Sequence, residues 1–119
     1  MDIVLWNDNE QMVEIITDST SLLLHPNLEF EACWPTAQRI ISERGYSLPT
    51  IAQMETIHRL KDSINGLLLA HNGSTIKESW YWCREEVQPF HAMYYDMGDG
   101  FDGGDLQQYT NFVRAVRDL

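Results

Sequence analysis

The segment F-V-R-A-V, residues 112 to 116, predicts the last strand of a β-sheet. Successive side chains of a strand point to opposite faces, so Phe112, Arg114 and Val116 share one face. The two residues between them share the other face. The sequence therefore predicts a C-terminal strand that pairs with strands from earlier in the chain.

Four other segments predict strands. Residues 3–6 (I-V-L-W) and 12–17 (M-V-E-I-I-T) flank an Asn-Asp-Asn turn and predict an N-terminal hairpin. Residues 80–83 (W-Y-W-C) and 92–97 (A-M-Y-Y-D-M) predict two strands before the last one. Residues 18–31 have a mixed pattern, which predicts no regular element.

Three segments predict helices. The first covers residues 35–44, with a proline at its start and a glycine just after its end. The second follows Thr50, which forms a capping box with Gln53 in the first helical turn. A third, short helix is predicted over residues 61–71, although a glycine in its middle weakens it.

The length and charge of the chain limit the functions that it can have. A chain of 119 residues predicts one domain, covering residues 1–119. The formal net charge is −10, and phosphate binding relies on clusters of Lys and Arg. This charge disfavours nucleic acid and anionic membrane surfaces as partners, and it favours solubility and a basic or metal-bridged partner.

The sequence predicts a cytoplasmic protein, unless a leader has been removed. Its start has neither the basic residues nor the apolar run of a secretory signal. The longest apolar runs, residues 22–24 and 67–70, are too short to span a bilayer. Without an export signal, Cys33 and Cys83 are expected to be free thiols.

Several short motifs follow one another in an order that resembles a known group of domains. They are L-P-T (48–50), I-N (64–65), Y-W (81–82) and V-R-A-V-R (113–117). In this order they resemble the Bacteroidetes-type domains of unknown function that share a C-type-lectin-like fold. Those domains are related to the C-terminal domain of Legionella collagen-like adhesins, and the resemblance covers nearly the whole chain.

The resemblance implies an α+β domain in which two helices pack on a small, twisted antiparallel sheet. It implies ligand binding as the general role, since folds of this type bind sugars, proteins and ice, and a few are enzymes. The chain departs from the family pattern at residues 44–47 and 83–86. The family's binding residues are therefore not carried over to this chain.

The stretch D-M-G-D-G-F-D-G-G-D, residues 96–105, is a candidate calcium loop. Calcium takes about six to eight oxygen ligands, mainly carboxylates and carbonyls. The candidate ligands are Asp96, Asp99, Asp102 and Asp105. The spacing differs from that of an EF-hand and no Glu ends the stretch, so the alternative is a solvated connection between strands. No other cofactor is expected.

The loops over residues 84–91 and 96–109 are the predicted ligand surface, because a rigid sheet can display them. The candidate contact residues are Arg84, His91, Tyr95, Phe101 and Tyr109. Phe101 is the strongest of these, since an aromatic side chain in a polar, glycine-rich tip has little core to join. The aromatic residues of the predicted strands either stack on a sugar or belong to the core, and one of the adjacent tyrosines 94 and 95 must face outward.

No catalytic motif is present, neither a P-loop nor a G-x-S-x-G nor a dinucleotide fingerprint. Cys83 and His91 would have to touch to act as a nucleophile pair. The sequence therefore predicts a non-catalytic domain that binds a carbohydrate or a protein. The alternative is a structural or assembly component of a phage or adhesin oligomer, and the sequence does not fix the oligomeric state.

Overall fold

The computed structural model describes all residues from 1 to 119 and contains three helices and seven strands. In chain order these are β1 (Ile3–Asn7), β2 (Met12–Ile16), β3 (Ser21–Ala32), α1 (Trp34–Glu43), α2 (Ile51–Arg59), α3 (Lys61–Ala70), β4 (Trp80–Gln88), β5 (His91–Asp96), β6 (Phe101–Leu106) and β7 (Asn111–Asp118). The strands form one sheet in the order β1-β2-β3-β7-β4-β5-β6. No helix combines the length and apolar character needed to cross a bilayer.

The C-terminal strand β7 lies at the centre of the sheet. It pairs antiparallel with β3 and parallel with β4, and every other pair of neighbouring strands is antiparallel. Its residues 113–116 are almost completely buried, because helices cover both faces of the sheet at this point. This strand therefore joins the N-terminal half of the sheet, β1 to β3, to the C-terminal half, β4 to β6.

Helices α2 and α3 pack on one face of the sheet, and α1 packs on the other. The larger core lies under α2 and α3 and contains Met54, Ile57, Ile64, Leu68, Val13, Ile15, Leu22, Leu24, Tyr81, Tyr95 and Val116 among others. The smaller core lies under α1 and contains Ala37, Ile41, Leu48, Trp82, Ala92, Val113 and Ala115. The fold thus has three layers, with the sheet in the middle.

The local signals for the helices are confirmed. The Thr50 side chain accepts a hydrogen bond from the Gln53 N–H at 3.0 Å, and the Gln53 side chain accepts one from the Thr50 N–H at 2.9 Å. Gly45 follows the end of α1 with a φ of 83°, a left-handed conformation that glycine adopts without a steric penalty. The predicted capping box and the predicted C-terminal glycine both occur.

The prediction of two helices on a small antiparallel sheet is wrong. The sheet has seven strands and one parallel pair, and a third helix, α3, extends over ten residues despite Gly66. The longest strand, β3, has twelve residues, and all but the last lie in the segment that predicted no regular element. A break in register between Leu24 and Glu29 accommodates the proline that obscured the strand pattern. The sixth strand, β6, begins within the predicted calcium loop and ends one residue beyond it.

A buried ion pair holds the centre of the sheet together. The Arg114 guanidinium donates to a Glu29 carboxylate oxygen at 3.0 Å, and the two side chains are 1% and 5% exposed. It also donates to the backbone carbonyls of His25 (2.9 Å), Pro26 (2.7 Å) and Ser74 (2.7 Å). Arg114 thereby ties the irregular part of β3 and the segment after α3 to the central strand.

The Glu29 carboxylate interacts with two further side chains besides Arg114. The Tyr81 hydroxyl donates to it at 2.8 Å, and the Lys77 ammonium group forms a second ion pair with it. Burial raises the pKa of Tyr81 well above its usual value, so the hydroxyl keeps the proton that it donates. No buried side-chain nitrogen or oxygen in the structure lacks a hydrogen-bond partner.

Replacing Arg114 is expected to destabilise the protein strongly. Arg114→Met leaves the Glu29 carboxylate buried beside fewer positive charges, and breaking a buried pair from one side costs about 3–5 kcal/mol. Urea unfolding of wild type and variant measures the difference. The matched control is Arg39→Met, because the Arg39–Glu43 pair is 61% and 63% exposed and such pairs contribute about 0–1 kcal/mol. Equal losses in both variants would contradict the assigned role of Arg114.

The imidazole of His25 organises the irregular part of β3. Its Nδ1 atom accepts hydrogen bonds from the N–H groups of Asn27 (3.2 Å) and Leu28 (3.0 Å). An acceptor nitrogen cannot carry a proton, so this arrangement requires the neutral ring. Burial lowers the pKa of His25, and the positive charge of Arg114 lowers it further.

His25 is expected to make the protein less stable in mild acid. Because its folded-state pKa is lowered, the unfolded chain binds the proton more readily, and stability falls as pH drops below about 6.5. Urea unfolding at a series of pH values from neutral to mildly acidic measures this decline. His25→Asn, which has no titrating group, should show a shallower decline. An unchanged pH dependence in this variant would rule out His25 as its source.

Candidate functional site

The predicted ligand residues lie at both ends of β5, because residues 96–109 include β6, which pairs along the whole of β5. The turn before this strand contains Phe90, whose carbonyl accepts from the Gln107 N–H at 2.7 Å, so Tyr109 belongs to the same end. Phe101 pairs with Asp96 at the other end. A strand of six residues spans about 17 Å, since each step adds about 3.4 Å. The predicted single surface is therefore two separate surfaces.

Arg84 and His91 make hydrogen bonds within the fold. The Arg84 guanidinium contacts both Asp118 carboxylate oxygens, at 3.1 and 3.2 Å, and donates to the Leu48 carbonyl at 2.8 Å. These hydrogen bonds, with one from Gln53, hold the pKa of Asp118 below its usual value. The His91 Nδ1 atom lies 3.1 Å from the Pro89 carbonyl oxygen. Arg84 acts here as a link between β4 and β7.

Of the two adjacent tyrosines, Tyr94 is half-buried against the smaller core and Tyr95 is buried in the larger one. Tyr95 is only 3% exposed, lies in the core under α2, and has a pKa raised by burial. The expectation that Tyr95 contacts a ligand is therefore wrong for this conformation. Alternation along β5 places Tyr94 on the opposite face of the sheet, the face that α1 only partly covers.

The aspartates of residues 96–105 do not converge. One Asp96 oxygen accepts from the N–H groups of Gly98 (2.8 Å) and Asp99 (3.3 Å), which shapes the turn between β5 and β6. Asp102 pairs with a residue of the α2 face and Asp105 with one of the α1 face. No three His, Cys, Asp or Glu side chains lie close enough to hold a metal ion. The stretch forms a hairpin instead of a calcium loop.

An exposed aromatic surface lies on the α1 face of β4, β5 and β6. It consists of Trp80, Tyr94 and Phe101, which we call the aromatic ledge. The rings of Trp80 and Tyr94 are stacked, with centroids 4.2 Å apart and an interplanar angle of 11°. Trp80 is 45% exposed and Phe101 is 70% exposed. Both pair with Asp96, so they lie on either side of Asp96 in one row of side chains across the sheet.

Glycine at position 103 allows the ledge to form. Tyr94 pairs with Gly103 on β6, and its ring extends over the glycine backbone. A Cβ atom at this position would lie 2.9 Å from the Tyr94 hydroxyl oxygen and 3.0 Å from Cζ. Any other residue would therefore displace the ring, and the stack of Trp80 on Tyr94 would shift with it.

The burial of Trp82 shows why the sequence left open whether the strand aromatics belong to the core or to the surface. Trp80 and Trp82 lie on the same face of β4, but Trp82 is fully buried in the core under α1. Helix α1 packs on β3 and β7 and does not extend over the Trp80 row. Strand alternation was the available signal, but it cannot tell how far along the strand a helix extends.

The thiols and the surface shape limit the chemistry of the molecule. Cys83 is fully buried and makes no hydrogen bond with His91, and burial raises its pKa so that the thiol keeps its proton. A hydrogen bond with Thr36 lowers the pKa of Cys33. The structure has no pocket that would enclose a small molecule. The exposed aromatic side chains of the ledge, Trp80 and Phe101, lie outside any enclosed cavity.

Comparison with known proteins identified no relative, since no protein-family model matches the chain and no curated protein matches it significantly. The resemblance to lectin-like domains receives no support from these comparisons. The case for a function therefore depends on the geometry of the chain itself, above all on the aromatic ledge.

Proposed function

We propose that this protein is a non-catalytic binding domain whose ligand, a carbohydrate or a protein, packs against the aromatic ledge. The observation that carries the proposal is the grouping of Trp80, Tyr94 and Phe101 on one uncovered face of the sheet. Exposed aromatic groups of this kind mark interaction sites, because burying them against a partner releases ordered water.

The shape of the surface indicates the kind of ligand. A small molecule needs a concave site that buries most of its surface, and none adjoins the ledge. A polymer can lie across an open face and gain affinity from several shallow contacts. The Trp80 and Tyr94 rings stack face to face and hold one another in place, and the exposed parts of Trp80 and Phe101 are available for such contacts.

Removing the ledge is expected to weaken ligand binding without unfolding the protein. Wild type and the double variant Trp80→Ala, Phe101→Ala are compared on a glycan array and on a displayed peptide library. Ligands of the wild type should bind the double variant at least about tenfold more weakly, a loss of about 1.4 kcal/mol or more. Leu69→Ala is the control, since Leu69 is 68% exposed on α3. Equal binding by all three proteins, or no ligand in either panel, would count against the proposal.

The second candidate function is assembly into an oligomer, and the edge strand β1 favours it. Its five residues, I-V-L-W-N, carry no charge, and Ile3 and Leu5 are 38% and 39% exposed on the α1 face. Edge strands without charges are open to pairing with another chain, because their unpaired backbone groups act as a template. A second copy could extend the sheet at this edge.

If β1 mediates assembly, a charge in the strand should prevent it. Sedimentation equilibrium of wild type over a wide concentration range is expected to show a rising mean mass, and Leu5→Lys should remain a monomer. Phe101→Lys places the same charge at the opposite edge of the sheet and should associate like wild type. A wild type that stays monomeric at every concentration would exclude this second function.

A further inference from the structure

Strand β6 is the second edge of the sheet, and part of its backbone has no partner strand. The Gln107 N–H donates to the Phe90 carbonyl, which identifies that pair as hydrogen-bonded. Hydrogen-bonded and non-hydrogen-bonded pairs alternate along antiparallel strands. The N–H and C=O groups of Asp102, Gly104 and Leu106 therefore point away from β5.

The open part of this edge is short and well defined. The Leu106 N–H donates to the Asp105 carboxylate at 3.0 Å, and the Leu106 carbonyl accepts from the Tyr109 N–H at 3.0 Å. The groups left open are those of Asp102 and Gly104. The backbone of an added strand can form hydrogen bonds with these two residues. Its pairing ends before Leu106, whose N–H and carbonyl already have partners.

The side chains beside the open groups select the charge of the occupant. Asp102 lies on the α2 face of β6 and Asp105 on the α1 face, so an added strand meets a carboxylate on both sides. Opposite charges across neighbouring strands stabilise the pairing, and like charges oppose it. A second copy of this chain would bring the same two aspartates and a net charge of −10, which disfavours self-pairing through β6.

An exposed aromatic side chain of β6 can contact long side chains of the occupant. On the α1 face, the half-buried Tyr94 ring covers Gly103, whereas Phe101 is 70% exposed. A Lys or Arg side chain of an added strand can lay its aliphatic stem against the Phe101 ring and keep its charge close to it, a favourable cation–π contact. The aromatic ledge and the open edge thus adjoin one another.

We propose that β6 binds an extended basic segment of a partner protein as an eighth strand, with Lys or Arg side chains facing Asp102 and Asp105. Backbone hydrogen bonds to Asp102 and Gly104 supply affinity, and the carboxylates and the ledge supply specificity. This inference rests on the proposed binding function and names the ligand class for the same surface. It excludes a glycan as the principal ligand.

The test uses the peptide Lys-Val-Thr repeated four times, in which lysines fall on both faces of a strand, and its counterpart with Glu in place of Lys. Binding to the wild-type protein is measured by fluorescence anisotropy at low and at physiological salt. The basic peptide should bind and weaken with salt, while the acidic peptide should not bind. Failure of the basic peptide to bind at low salt would overturn the inference.

The protein variants separate strand addition from simple charge attraction. Gly104→Pro removes one outward N–H, which an edge strand tolerates, and should weaken binding about tenfold. Gly104→Ala keeps the N–H, and its Cβ would lie 3.6 Å from Val87, an ordinary contact, so binding should be unchanged. Equal binding by both variants would overturn strand addition.

A second pair of variants tests the role of the two carboxylates. Asp102→Asn, Asp105→Asn should weaken binding about tenfold, because it removes the charges beside the added strand. Asp8→Asn, Asp62→Asn makes the same change in net charge in the β1–β2 turn and in α3, on the far half of the molecule. If both pairs lose affinity equally, the attraction is a property of the whole surface and the inference fails.

Hydrogen exchange gives a readout that does not depend on any variant. Amide N–H groups of Asp102 and Gly104 should exchange more slowly when the basic peptide is bound, because they become hydrogen-bonded. Binding that requires Trp80 but protects neither amide would keep the ledge as a ligand surface and overturn strand addition. A glycan that binds through the ledge and protects neither amide would have the same meaning.

Discussion

The ion pair between Arg114 and Glu29 is the interaction on which the rest of the structure depends. Removing two charges from water costs several kcal/mol for each ion, so the pair is tolerated only where its geometry satisfies both groups. The Arg114 guanidinium meets this condition through Glu29 and three backbone carbonyls. These carbonyls belong to the irregular part of β3 and to the segment after α3, so moving either one breaks hydrogen bonds to the buried guanidinium.

The coverage of the sheet explains where the molecule is exposed. A helix is about 10 Å wide and neighbouring strands are about 4.8 Å apart, so a single helix covers about two strands. The α1 face of the seven-stranded sheet has one helix over its centre, whereas the other face has two. Both ends of the α1 face are left open, at β1 and at β5–β6. The ledge is a consequence of this unequal coverage.

The sequence was informative where the relevant physics is local. The capping box of α2, the glycine after α1 and the alternation of the last strand all involve neighbours a few residues apart, and all three occur in the structure. The sequence was not informative where contacts between distant parts of the chain determine the structure. Gly and Asp are rare in strands, yet β6 pairs along the whole of β5, and Gly103 is needed there because of the Tyr94 ring.

The same limit applies to the candidate site. Trp80 and Trp82 are equivalent in the alternation of β4, and only the position of α1 makes one exposed and the other buried. The parallel pairing of β4 with β7 cannot be predicted from the spacing of residues along the chain. This pairing places β4, β5 and β6, with the predicted ligand residues, on the opposite side of β7 from β1, β2 and β3. Tertiary contacts thus decided which aromatic residues face solvent.

The two edges of the sheet differ in the way that they meet other chains. Strand β1 has no charge, whereas β6 carries Asp102 and Asp105 on opposite faces. Charges on an edge strand prevent indiscriminate pairing. An incoming strand that has no opposite charges would bury these charges without partners, or would place like charges beside them. The same charges lower the cost of pairing for a basic strand. An acidic edge beside an aromatic surface therefore combines protection against self-association with selection of a basic partner.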